Sequence, residues 1–122
     1  MPLTFTYDAE RNLVLGVASG RVTGDDFGAG EMPDYPVGTP ELFDVRAVTE
    51  VEVTGADIRR VAERERLGPA RISRMAIVTG SVVAYGLSRM FQMLADEAEY
   101  EIEVFRELDD ALKWLDRETP KG

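Results

Sequence analysis

Apolar and polar positions change period several times along the chain. Leu3-Thr-Phe-Thr-Tyr7 alternates, Asp8-Ala-Glu-Arg-Asn12 supplies a turn, and Leu13-Val-Leu-Gly-Val-Ala18 resumes the strand pattern. This predicts an antiparallel hairpin with a longer loop. The second run is apolar on both faces, so it belongs inside a sheet rather than at its edge. Thr23 followed by Asp26 has the spacing of a helix cap, which predicts a helix to about Met32, short or irregular because of Gly24, Gly28 and Gly30. Three prolines and a glycine within residues 33–40 then predict a loop.

From residue 42 to 117 strand and helix signals alternate three times. Leu42-Phe-Asp-Val-Arg-Ala-Val48 reads as a strand. The following helix is capped by Thr54 with Asp57 three residues on, and Ile58, Val61 and Ala62 share one face. Leu67-Gly-Pro ends it. Met75-Ala-Ile-Val78 is a short continuous apolar run, the mark of a strand buried on both sides. Gly80-Ser81 opens a helix with an apolar stripe of Val83, Leu87, Met90, Phe91 and Leu94. Ile102, Val104 and Phe105 form the last strand. Leu108, Ala111, Leu112 and Leu115 give the buried face of the last helix, with Trp114 beside it. The cadence predicts an α/β fold: a mixed β-sheet with an N-terminal hairpin, then βα units, with about four helices. One domain covers residues 1–117, and residues 118–122 are expected to fray.

Composition removes whole classes of chemistry. The chain has neither Cys nor His. Disulfides, thiol nucleophiles, Ser-His-Asp triads, zinc hydrolases and His phosphotransfer are therefore excluded. A formal charge of −9 disfavours nucleic acid, which is bound largely through Lys and Arg. No run approaches a membrane span and the N-terminus lacks a leader pattern, so the expected location is cytoplasmic, without integral membrane association. Arg59, Arg60, Arg64 and Arg66 share a helix with Glu63 and Glu65, which reads as a solvated mixed-charge face. The acidic residues between Asp96 and Asp110 lack calcium-loop spacing, so no metal or other cofactor is expected.

The order of elements, with Asp44-Val-Arg46, Met75-Ala-Ile-Val78, Tyr85-Gly-Leu-Ser-Arg-Met-Phe91 and Val104-Phe-Arg through Ala111-Leu-Lys-Trp-Leu115, resembles the SpoIIAA-like domains of the STAS and Sec14-type superfamily. It is similar in particular to small bacterial STAS/SEC14-domain proteins. The resemblance spans nearly the whole chain and implies a non-enzymatic regulatory or protein-interaction module. Its expected partner is a protein, a second copy of this chain included. Related regulators are switched by phosphorylation of a Ser within an Asp-Ser-Ser-Gly pattern. Here Val51-Glu-Val-Thr-Gly55 lacks that pattern, which leaves Thr54 as the phosphoacceptor to consider beside its capping role.

In open α/β sheets, ligands gather beyond the carboxyl ends of parallel strands. That rule assigns a partner or ligand rim to Asp44, Arg46, Thr54, Ser81, Tyr85 and Arg89, with Asp44 expected to pair with Arg89. Gly86 within a helix suggests close packing against the sheet. A second reading is therefore a small-molecule site, for an apolar ligand or an anion, needing a pocket of roughly 300 Å³ at this rim. Catalysis is the third. It would require two carboxylates, or a Tyr–Arg pair, converging in a cleft, with Asp44, Tyr85 or a surface Glu as the acid or base. No catalytic residue is assigned.

Overall fold

A computed structural model describes residues 2–27, 32–67 and 71–116. Five strands form one sheet in the order β1 (Leu3–Asp8), β2 (Leu13–Thr23), β3 (Thr39–Glu52), β4 (Ile72–Val78) and β5 (Glu101–Phe105). The β1–β2 hairpin is antiparallel, and all other pairings are parallel. The three α-helices among the described residues are α1 (Gly55–Leu67), α2 (Val82–Leu94) and α3 (Leu108–Leu115). None is long and apolar enough to cross a membrane.

Side-chain alternation along the strands sends α1 and α2 to one face and α3 to the other. Ile58 and Ala62 of α1 and Phe91 of α2 pack with Met75, Ile77 and Ile102. On the opposite face, Ala111 of α3 packs with Leu13, Leu42, Ala76 and Val78. The interior placement of β2 and β4 follows their two-sided apolar character, and Met75 through Val78 are all buried.

Local chemistry explains the helix starts. Thr54 Oγ1 accepts from the Asp57 N–H at 3.1 Å, while the Asp57 carboxylate accepts from the Thr54 N–H at 2.9 Å, a reciprocal cap for α1. Ser81 Oγ accepts from the Ala84 N–H at 3.1 Å and starts α2.

The expected fourth helix is absent from the described residues. Asp26 does accept from the Thr23 N–H at 2.7 Å, yet only a three-residue 3₁₀ turn, Gly24–Asp26, follows. Phe27 returns to extended backbone, and the glycine content makes continued winding unfavourable. Residues 28–31 of that expected helix, the Gly68-Pro69 stop and the 118–122 tail lie outside the described residues. The α2 stripe also differs: Val83 and Leu94 are exposed, while Ala84 and Phe91 are buried. Gly86 faces open space, so close packing does not account for it.

Candidate functional site

The residues assigned to the rim make separate local contacts. Asp44 and Arg46 form a bidentate pair along β3, at 2.9 and 2.7 Å, and Arg46 holds the Asp44 carboxyl below the usual carboxylate range. The expected Asp44–Arg89 pair is thus replaced by a partner two residues away. Arg89 instead donates to Gln92 at 2.6 Å on the exposed side of α2. Ser81 and Tyr85 do lie near the carboxyl ends of β3 to β5. A Cβ on Gly80 would sit 3.0 Å from the Arg46 carbonyl oxygen, so glycine permits that close approach. Arg106 stacks over the Tyr85 ring at 4.3 Å. Thr54 is held in the α1 cap.

A cavity of about 440 Å³ lies elsewhere, between the sheet and helices α1 and α2. None of the six rim residues lines it. Its floor includes Phe5, Ala18, Phe43, Met75 and Ile77; Ile58, Leu87 and Phe91 contribute from the helices, and Phe27 and Met32 from the β2–β3 connection. A Cβ at Gly16 would come within 2.7 Å of the Phe5 ring and 3.2 Å of Phe43, so this glycine lets both aromatics lie across β2. Their rings are 6.1 Å apart.

Polar groups from three distant segments, residues 35–41, 65–71 and 100, meet in this mostly apolar wall. Glu41, near the start of β3, alternates with Phe43 and Val45 onto the α1/α2 face. Only 5% of Glu41 is exposed, and no hydrogen bond or ion pair to its carboxyl is found among the described residues; because no fully buried side-chain oxygen lacks a partner there, the carboxyl opens onto the cavity. Burial, reinforced by the nearby Glu65 carboxylate, pushes its pKa up to about 8. Tyr100, just before β5, donates to Glu65 Oε2 at 2.8 Å. Burial and the same carboxylate push the Tyr100 phenol up. Tyr35 also lines the cavity, and burial, with Glu41, raises its pKa. Arg71 lies over the Tyr35 ring at 5.1 Å and donates to the Tyr35 carbonyl oxygen at 3.4 Å.

Acidic and phenolic side chains therefore converge, as a catalytic reading would require, but through Glu41, Glu65 and Tyr100 rather than Asp44 or Tyr85. The rim rule missed them because this polar group collects at the amino ends of β3 to β5, opposite the expected edge. One signal was available. Glu41 is two residues from Phe43 in a strand run, so extending that strand by one residue places a carboxyl on the core face.

No family model and no curated protein matches the sequence. Among solved structures, the chain is similar to an uncharacterised protein of the DUF3478 family with a SpoIIAA-like fold from Shewanella loihica PV-4. The TM-score is 0.52 at 15% identity, over 93% of this chain and 91% of that one. Together with the mixed five-stranded sheet and its helices on both faces, that likeness identifies the architecture: the chain has a SpoIIAA-like fold.

Proposed function

We propose that this protein is a non-enzymatic binding module whose cavity beneath α1 and α2 holds a small amphipathic molecule. The cavity itself carries the reading. Its volume falls within the range of ligand sites, and its walls are apolar apart from a small convergent polar group. Binding is favoured over turnover because the Tyr100 proton is committed to Glu65 and the chain has no His or Cys. Displacement of an environment-sensitive apolar dye tests this. Ala18→Leu, which adds side-chain volume to the cavity floor, should abolish dye binding and keep a cooperative melt. Equal binding by the parent protein and this variant would overturn the reading.

A second reading keeps protein recognition at the carboxyl-end rim. It is favoured by Val82 and Val83, which stand 87% and 59% exposed in the first turn of α2, beside Ser81 and Tyr85. Asp44, Arg46 and Arg89 would then be peripheral partner contacts. Phosphorylation of Thr54 would act by placing a phosphate against Asp57 and breaking the α1 cap. Sedimentation of the parent and Val82→Asp proteins would separate self-association through this patch from a monomer.

A further inference from the structure

We infer that the cavity's ligand is an amphipathic amine, its ammonium group seated between Glu41 and Glu65 and its apolar body lying along Ile72, Met75, Ile77 and Phe91. This rests on the cavity-binding reading and adds the charge class of the ligand. Glu41 is an almost wholly buried carboxyl that lines the cavity and has no partner among the described residues. Ionising such a group is costly unless a cation supplied from outside completes it.

The titratable and charged groups lining the cavity are Tyr35, Glu41, Arg64, Glu65, Arg71 and Tyr100. Both carboxyls stand without a cation: no ion pair among the described residues includes Glu41 or Glu65. Arg71 is occupied by the Tyr35 ring and carbonyl, and Arg64 is exposed on α1. The Tyr35 ring already carries Arg71, and Tyr100 adds an aromatic ring, which attracts cations through its quadrupole. Two carboxyls and the Tyr100 ring beside an apolar chamber fit an ammonium head with a hydrocarbon body. An anionic head would face the Glu65 carboxylate and oppose ionisation of Glu41.

Binding has a defined proton balance. The ammonium keeps its protons, Glu41 gives up one to solvent, and an N–H of the ligand then donates to the new carboxylate. Affinity for an amine should therefore rise with pH until Glu41 is ionised in the free protein, by up to about tenfold per pH unit.

Decylamine, decanol and decanoate share a hydrocarbon body and test the head group by calorimetry at about pH 6 and about pH 9. Decylamine should bind at least about tenfold tighter than decanol at the higher pH, with the preference shrinking at the lower. Runs in two buffers of different ionisation enthalpy should show release of up to one proton near neutral pH. Glu41→Gln should remove the pH dependence, and Glu65→Gln should weaken amine binding without removing it. Equal affinity for amine and alcohol, or decanoate as the tightest ligand, would overturn the amine assignment while leaving the cavity a binding site. No binding by any of the three would overturn both this inference and the reading beneath it.

Discussion

The two faces of the sheet are built by alternate residues of the same strands, yet one is solid and the other hollow. Against α3, Ala76, Val78 and Ala111 are completely buried, and Phe105 and Trp114 rings meet at 5.8 Å. The guanidinium of the buried Arg74 lies 5.3 Å from the Trp114 ring centre and donates to the Trp114 carbonyl oxygen at 3.0 Å. Small residues here let helix and sheet approach closely. Against α1 and α2, larger side chains hold the layers apart around about 440 Å³, and a carboxyl without a partner among the described residues faces the space. The difference separates two tasks: the α3 face supplies packing, and the α1/α2 face gives up some packing for a chamber.

Glu41 should provide the largest break in that comparison. Folded, it keeps its proton to about pH 8, whereas an ordinary carboxyl releases it near 4.5. Between those values the native state holds the extra proton, so stability is fully present below the lower value and is lost as pH rises through the upper one. The loss is on the order of 5 kcal/mol. Glu41→Gln mimics the protonated form. It should leave stability nearly unchanged at about pH 4 and exceed the parent by up to about 5 kcal/mol at about pH 9, read from urea melts. Parallel pH curves for the two proteins would contradict the raised pKa.

Enlarging a small residue on the solid face comes next. Ala76→Leu adds atoms where none fit and should cost about 1–3 kcal/mol. A comparable cost for Ala18→Leu would show that the hollow face is as tightly packed as the other. The expected result for Ala18→Leu is instead between neutral and a gain of about 1 kcal/mol.

A smaller effect sharpens the contrast through dynamics. Thr54→Ala removes half of the reciprocal cap on α1, at a cost of about 1 kcal/mol. Amide exchange should quicken in α1, which roofs the cavity, and stay unchanged in α3. Equal acceleration in both helices would mean that the two faces open as one cooperative unit.

Much of the architecture was legible because its signals are local. Residues 13–18 and 75–78 are apolar on both sides and occupy interior strands, and the Thr54 and Ser81 caps start α1 and α2. The first helix failed because capping chemistry at Thr23 marks where a turn begins without ensuring that it continues through glycine. The cavity was not legible because its polar group is assembled from residues 35, 41, 65 and 100, joined only by strand pairing and helix docking. Glu65 read as one more charge on a solvated helix, and Tyr100 disappeared into an acidic stretch. Arg89 looked like a partner for Asp44, but Arg46, two residues away on the same strand, reaches it first. Local geometry decided that pairing.

Methyl NMR during a decylamine titration tests the central claim most directly, because it reads both faces of the sheet in one experiment. The account predicts saturable shifts for methyls of Ile58, Ile72, Met75 and Ile77, with those of Ala76, Val78 and Ala111 unmoved. Shifts spread equally over both faces, or confined to surface residues, would contradict a ligand chamber beneath α1 and α2.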